Sequence, residues 1–137
     1  GLICDVQDLG HAKWGCNTIE ISNASKMAIY TGQSNTLAII ENCKEPDIAA
    51  LLCLNSKNQG QDDWVLPSRD ELAKMYNLKD MIDSVAVLNG GTVFEEMQYW
   101  SSSDDGEIDA WKQNLGTGGQ LTNFKEGNGY VRAFRYF

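Results

Sequence analysis

The chain has 137 residues, a hydrophobic content of 42% and a formal net charge of −8 at pH 7. This length is sufficient for one domain with a buried core and short for two. The acidic balance excludes the basic patch with which proteins bind nucleic acid or an anionic membrane surface. No apolar run approaches the roughly 20 residues that span a bilayer, and the first residues lack the pattern of a signal peptide. We therefore expect a single domain over residues 1–137 that does not insert into a membrane.

The N-terminal segment, residues 1–22, contains apolar pairs interrupted by Gly10 and Gly15. This pattern predicts short strands and turns. His11 is the only histidine of the chain, and we predict a loop residue there rather than a base or a metal ligand.

All four cysteines, Cys4, Cys16, Cys43 and Cys53, lie in the first 53 residues. Their even number permits two disulfides in an oxidising compartment. Sequential pairing, Cys4 with Cys16 and Cys43 with Cys53, would close short loops, and free buried thiols are the alternative. The absence of a C-x-x-C motif and of a neighbouring histidine argues against a zinc site.

Two helices are predicted next. Ser34 or Asn35 is a favourable N-cap for a largely buried helix over SNTLAII. Pro46 is predicted to open a second helical piece, because proline is favoured at the first position of a helix. A polar loop over residues 55–61 follows.

The stretch from residue 62 to residue 76 is the most strongly patterned part of the chain. Its apolar run Trp64–Leu66 stops at Pro67, which donates no backbone hydrogen bond, so we expect a buried extended segment. Ser68 and Glu71 form the S-x-x-E pattern of a capping box, which predicts that a helix starts here. Its inward face, predicted to pack on the Trp64 side, is formed by Leu72, Met75 and Tyr76. Acidic side chains in the first turn, Asp70 and Glu71, complement the helix dipole and favour a scaffold role.

The remaining segment changes character after a further helical stretch around Met81, Ile82 and Val85. From Val93 onward, short runs separated by glycine-rich turns predict an antiparallel meander, with a hairpin turn at 116–119. We expect Trp100, like Trp64, to be buried. In the last run, YVRAFRYF, an inward-pointing arginine would need a carboxylate or several carbonyls.

Two candidate chemical motifs occur in the meander. Ser101, Ser102 and Ser103 lack a nucleophile elbow and a base, so we predict turn and surface residues rather than a hydrolase site. The second motif is a run of acidic residues whose oxygens are suited to Ca²⁺. A solvated acidic loop is the alternative, and no EF-hand pattern is present. These carboxylates are Asp104, Asp105, Glu107 and Asp109.

The order and spacing of several short motifs give the chain a family resemblance. It resembles the C-terminal domain of bacterial collagen-like adhesins over nearly its whole length. The matching stretches are Gly1 to Ile3, Trp14 to Cys16, QSNTLAII, DDWVLPSRDEL, YWSSSD, AWKQNL and VRAFRYF. The resemblance implies an α+β, C-type-lectin-like fold, in which two main helices flank a small twisted antiparallel sheet and the termini lie together.

Similar folds serve as phage receptor-binding proteins and as the variable proteins diversified by retroelements, in which the last third presents a ligand. Formylglycine-generating enzymes share the fold, but they depend on late-chain cysteines and none follows Cys53 here. The EPN or QPD and WND motifs of calcium-dependent lectins are also missing. Fold alone does not establish function.

These observations favour a non-enzymatic module that recognises a protein or glycan, displayed outside the cell on a cell surface or a virion, with no cofactor. A structural or assembly domain of a larger fibre protein is the alternative, and an enzyme ranks third. Trp111 and Tyr130 are the expected anchors, because aromatic residues concentrate interface energy, although each also has a core alternative. The full set of expected ligand-binding residues is Asp105, Glu107, Asp109, Trp111, Lys112, Asn114, Asn123, Lys125, Asn128 and Tyr130.

Overall fold

Four α-helices occupy the middle of the chain in the computed structural model, which describes residues 1–137. They are α1 (Gly32–Asn42), α2 (Ala49–Asn55), α3 (Arg69–Asn77) and α4 (Lys79–Leu88). None of them is long and apolar enough to cross a membrane.

Two sheets surround the helical segment. The smaller sheet pairs β1 (Leu2–Cys4) with β7 (Phe134–Tyr136). The larger has the order β2-β6-β3-β4-β5, and its strands are β2 (His11–Ala12), β3 (Gln98–Asp104), β4 (Asp109–Asn114), β5 (Gln120–Phe124) and β6 (Gly129–Tyr130). β3, β4 and β5 form the predicted antiparallel meander, and β6 runs parallel to β3. The fold is thus α+β, with four helices where the resemblance implied two main ones.

The two ends of the chain lie side by side. Leu2 is opposite Tyr136 and Cys4 is opposite Phe134 in the antiparallel pair of β1 and β7. Phe134 also forms a bridge with Val65, so the predicted extended segment before Pro67 joins this end of the molecule.

The predicted capping box of α3 is confirmed. The Glu71 backbone N–H donates to Ser68 Oγ (3.3 Å), and the Ser68 backbone N–H donates to Glu71 Oε2 (2.7 Å). The same carboxylate accepts from the backbone N–H of Tyr30 (2.6 Å) and from the hydroxyl of Tyr136 (2.8 Å). Glu71 therefore fixes α3, the start of α1 and the C-terminal strand in one place.

The predicted starts of α1 and α2 were wrong. α1 begins at Gly32, two residues before Ser34. Just ahead of it the Glu71 carboxylate accepts from the backbone N–H of Tyr30, and that carboxylate leaves no room for a side chain at Gly32. α2 begins at Ala49 rather than at Pro46, because Asp47 has a left-handed backbone (φ 58°) that interrupts a helix.

Two apolar clusters form the core, and α3 belongs to the smaller one. Its Leu72 and Met75 pack with Phe94, Tyr99 and Leu115. The larger cluster contains residues of α1 and α2 and the fully buried Trp64 and Trp100, as predicted for both tryptophans. The expectation that α3 packs on the Trp64 side was wrong, because its apolar face lies on β3 and β4.

The cysteines pair differently from the sequential scheme. Cys16 and Cys43 form a disulfide that joins the N-terminal loop to the end of α1. Cys53 is buried and free, and burial raises the pKa of its thiol. Cys4 is also free, and burial raises its pKa to about 12. Proximity along the chain was therefore a wrong guide to pairing.

Arg132 is the inward arginine of the last segment and has the partners that the sequence analysis required. Its Nε lies 2.6 Å from Asp8 Oδ1. Its other guanidinium nitrogens donate to the carbonyls of Asp5 (2.9 Å) and Thr92 (2.8 Å). This buried charge joins the N-terminal loop to the segment after α4.

The three serines of β3 are buried, so the prediction of surface positions was wrong. Ser101 Oγ donates to the carbonyl of Trp111 (2.8 Å) and Ser103 Oγ to that of Lys26 (2.8 Å). Ser102 is held through its backbone N–H, which donates to the carbonyl of Pro67 (2.7 Å). These bonds satisfy polar groups in a central strand.

Candidate functional site

The ten residues predicted to bind a ligand fall into three groups by exposure. Asp105, Glu107 and Asn128 are exposed, whereas Lys112 and Lys125 are buried. The remaining five, Asp109, Trp111, Asn114, Asn123 and Tyr130, are half-buried.

Lys112 lies inside the sheet and does not present its charge to solvent. Its Nζ donates to the carbonyl of Asn128 (2.8 Å) and lies 4.1 Å from the centroid of the Trp100 ring. Burial lowers the pKa of this ammonium group. The prediction of a ligand contact at Lys112 does not fit this enclosed position.

Lys125 is likewise enclosed, in an ion pair with Asp104. Nζ lies 2.8 Å from Asp104 Oδ1 and donates to the carbonyls of Ile19 (2.8 Å) and Gly106 (2.6 Å). Its ammonium group is 4.6 Å from the centroid of the Trp14 ring. Lys125 thus stabilises the turn between β3 and β4 from within and does not offer a surface contact.

The acidic run therefore does not act as one set of carboxylates. Asp104 Oδ2 accepts from the backbone N–H of Ile21 (2.6 Å), and its other oxygen faces Lys125. Asp105 and Glu107 are exposed in the turn. The carboxylates of this turn do not converge on one point. The one cluster of the chain with metal-ligand spacing lies elsewhere and consists of Glu45, Cys16 and Cys43, of which the two cysteines are joined in the disulfide.

Asn114 is committed to the turn between β4 and β5. Its Oδ1 accepts from the backbone N–H groups of Gly116 (2.7 Å) and Thr117 (3.0 Å). Asn123 Oδ1 accepts from the N–H of Phe124 (2.8 Å). Both amides therefore have local structural partners.

Tyr130 lies near the opposite edge of the sheet from β5. Its ring packs against His11, with 4.1 Å between centroids, and against Tyr99 at 5.4 Å. His11 is on the two-residue strand β2 rather than in a loop, and it is exposed. Tyr130 and Trp111 consequently belong to separate surfaces.

The register of β4 and β5 brings a different group together. Asp109 is opposite Phe124 and Trp111 is opposite Thr122. Because side chains alternate along a strand, these four residues share one side of the hairpin. Phe124 is 45% exposed. We call this group, Asp109, Trp111, Thr122 and Phe124, the β4–β5 face.

The base of the β4–β5 face is positioned by α3. The Arg69 guanidinium lies over the Trp111 ring, 5.1 Å from its centroid, and pairs with Asp70 at 3.1 Å. Gln120 Nε2 donates to the carbonyl of Arg69 (3.2 Å). These contacts hold the indole, whose buried Nε1 has no hydrogen-bond partner in the chain.

The charge near this face is acidic. Asp109 belongs to the face, and Asp105 and Glu107 lie in the turn that precedes β4. Three cations of the last third, Lys112, Lys125 and Arg132, are buried. The fourth, Arg135, is paired with Asp63 at 2.6 Å. No cation of residues 93–137 remains free to attract an anionic group.

Sequence reasoning missed Arg69, Phe124 and Ile108 as neighbours of this surface. Phe124 and Ile108 are exposed apolar residues beside polar ones, and the strand period of two places Phe124 with Thr122. Arg69 had no comparable signal, because its contact with Trp111 depends on how α3 packs on the sheet.

The fold and this surface define a small α+β domain in which a helical half supports an antiparallel hairpin with an aromatic, acidic face. The chain belongs to the family described as the Lcl C-terminal domain, whose model matches residues 10–135. This family agrees with the resemblance to collagen-like adhesins, and it identifies an adhesin-associated domain. No curated protein matches the chain.

Proposed function

We propose that the domain is a non-enzymatic ligand-binding module of an extracellular surface protein and that its C-type-lectin-like fold presents the β4–β5 face to a protein or glycan. The observation that carries this proposal is the exposed Phe124 beside the half-exposed Trp111 on a hairpin held by α3. Aromatic residues on a rigid support bind at a low entropic cost.

The charge distribution narrows the chemistry of the ligand. Three acidic side chains lie on or beside the face, and the cation that contacts it, Arg69, is already paired with Asp70. A sulfated, sialylated or phosphorylated group would meet like charge without a counter-ion. The preferred ligand is therefore a neutral glycan or a protein segment with a basic group.

Two further features support an extracellular, non-enzymatic role. The disulfide between Cys16 and Cys43 is typical of an oxidising compartment. Four groups have a strongly raised pKa, and burial is the first cause at each: Cys4, Cys53, Tyr99 and Tyr136. Their positions agree with packing rather than with acid–base catalysis.

A structural or assembly domain of a larger cell-surface or virion fibre is the second candidate. The pairing of β1 with β7 favours it, because both ends of the domain leave from one place. A domain arranged in this way is suited to the tip of a stalk.

An array of neutral and anionic glycans, together with intact cells, tests the proposal. We expect the isolated domain to bind a neutral glycan or a cell-surface protein, and this binding to weaken when Phe124→Ser is introduced. Leu37→Ser, which removes an exposed apolar side chain from α1, is the matched control. Binding confined to sulfated glycans, or binding unaffected by Phe124→Ser, would contradict the proposal.

A further inference from the structure

Exposed large apolar side chains are concentrated on one segment of the chain, away from the β4–β5 face. The chain exposes 14 such side chains. Half of them lie within residues 78–97, and these are Leu78, Met81, Val85, Val87, Leu88, Val93 and Met97. Exposed apolar groups scattered singly need no explanation, but a contiguous patch marks an interaction surface.

Four of these residues form a stripe along α4. Leu78, Met81, Val85 and Leu88 follow one another at spacings of three, four and three residues, so they lie on one side of the helix. Met81 is 64% exposed and Leu88 is 85% exposed. We call these four residues the α4 stripe.

The inward side of α4 is separate from the stripe and already has its partners. Ala86 is fully buried, and Ile82 packs against the smaller core cluster. The helix is therefore apolar on two sides, and the stripe is not needed for docking α4 onto its own domain.

A cavity lies on each side of the first part of the stripe, at Leu78 and Met81. One has a volume of about 620 Å³ and includes Tyr76 and Leu115 in its wall, and the other, of about 490 Å³, includes Cys4 and Phe134. Leu78 and Met81 contribute to the walls of both. Leu78 and Met81 thus form a ridge between two concavities, and Val85 and Leu88 continue this apolar row along α4. The side-chain rows of a second helix pack against a surface of this shape.

The rim of the stripe carries an excess of negative charge. Lys79 is paired with Asp83 at 3.1 Å. The pKa of Lys79 is raised, chiefly by its hydrogen bond to Asp83 and also by the charges of Glu96 and Asp80. Three acidic groups therefore surround Lys79, and two of them, Asp80 and Glu96, are exposed and have no ion-pair partner. The other cation near the stripe, the exposed Lys74, lies in the wall of the cavity on the opposite side.

We propose that the α4 stripe binds a partner polypeptide that presents a basic amphipathic helix, with its apolar side chains on the ridge and its Lys or Arg residues facing Asp80 and Glu96. A second copy of this chain fits less well, because an isologous contact would bring two acidic rims together in a protein of net charge −8. A partner helix with apolar side chains at three- and four-residue spacing can pack its side-chain rows against this ridge.

The test uses two designed helical peptides that differ only in charge. Both carry leucines at three- and four-residue spacing. All remaining positions are lysine in one peptide and glutamate in the other. Fluorescence anisotropy at physiological salt measures their binding to the full chain. We expect the lysine peptide to bind and the glutamate peptide not to bind.

Paired variants locate the contact. Met81→Ser with Val85→Ser should weaken binding of the lysine peptide by about tenfold or more, as expected for the loss of anchor residues. Ile19→Ser with Leu37→Ser, which removes two apolar side chains of similar exposure elsewhere, should leave it unchanged. Asp80→Lys with Glu96→Lys should reverse the preference toward the glutamate peptide. Equal melting temperatures establish that all three variants are folded.

Two results would overturn the proposal. Equal binding of the lysine peptide to the stripe variant and to its control would place the contact elsewhere on this acidic protein. Sedimentation showing that the wild-type chain dimerises and that the stripe variant is monomeric would identify a second copy as the occupant.

Discussion

Replacing Lys125 with methionine removes one half of a buried ion pair and should destabilise the domain severely. The Lys125 ammonium group lies within 2.8 Å of three oxygens, on Asp104, Ile19 and Gly106. Methionine keeps much of the apolar stem but leaves the Asp104 carboxylate buried, with only the Ile21 N–H as a donor. Loss of one partner from a buried pair costs about 3–5 kcal/mol.

Urea unfolding with the disulfide intact measures this loss. With a denaturant slope of roughly 2 kcal/mol/M, a loss of about 4 kcal/mol lowers the midpoint by about 2 M. Lys57→Met is the control, because Lys57 is exposed and unpaired, and its midpoint should stay unchanged.

A double variant isolates the charge. Asp104→Asn removes the unpaired charge and keeps an oxygen that can accept from the Ile21 N–H. The double variant Asp104→Asn, Lys125→Met should therefore be more stable than Lys125→Met alone. A loss below about 1 kcal/mol for Lys125→Met would refute the reasoning. Additive losses in the double variant would show that the two charges are not coupled.

Three other perturbations test separate parts of the structure. Ser68→Ala should cost about 1–2 kcal/mol in chemical denaturation, because it removes the cap of α3 and the 2.9 Å bond to the Ala28 carbonyl; an unchanged midpoint would contradict that role. A chelator should leave the melting temperature unchanged, because Lys125 already neutralises Asp104, and a large drop would support a calcium site in the acidic turn. Burial lowers the pKa of Lys112 in the folded protein, whereas in the unfolded chain the pKa of a lysine is about 10.4. Between these two pKa values the unfolded chain binds more protons than the folded protein, so the free energy of unfolding rises with pH. Lys112→Met should remove this contribution in unfolding experiments across that range, and an identical pH dependence in the variant would refute it.

The sequence predicted the parts of the fold that rest on local patterns. The box of Ser68 and Glu71, the meander and the burial of Trp64 and Trp100 each follow from residues close in sequence or from composition. The requirement for partners at an inward arginine was also correct, since Arg132 has a carboxylate and two carbonyls.

The failures have a common physical cause, which is that distant contacts overrode local preference. α1 begins at Gly32, where the chain is held by the hydrogen bond from the Tyr30 N–H to Glu71, about forty residues later. Serines are common in turns, and this preference led to the prediction for β3. A serine is equally compatible with a buried strand when its hydroxyl or backbone N–H donates to a carbonyl, as these serines do. Cys16 pairs with Cys43 across 27 residues, which loop length alone does not predict.

The candidate site was predicted in composition but not in geometry. Sequence placed Lys112 and Lys125 with Trp111 because all belong to polar runs of the last third. Strand alternation instead turns Lys112 inward beside Ala110 on β4. Lys125, which directly follows β5, is held inside by Asp104 and two backbone carbonyls. What remains outward is aromatic and acidic, which favours a neutral or basic ligand among the proteins and glycans expected from the sequence.

The most direct test of the central claim is equilibrium binding of the isolated domain to a captured ligand before and after the β4–β5 face is altered. The altered chain carries Phe124→Ser, Asp105→Asn and Glu107→Gln, all at exposed positions, and its melting temperature should equal that of the wild type. A second variant, Trp111→Ala, tests the half-buried anchor separately. The account predicts that affinity falls about tenfold or more in both variants while the Leu37→Ser control binds normally. Full retention of binding by both altered proteins would contradict a ligand site on this face.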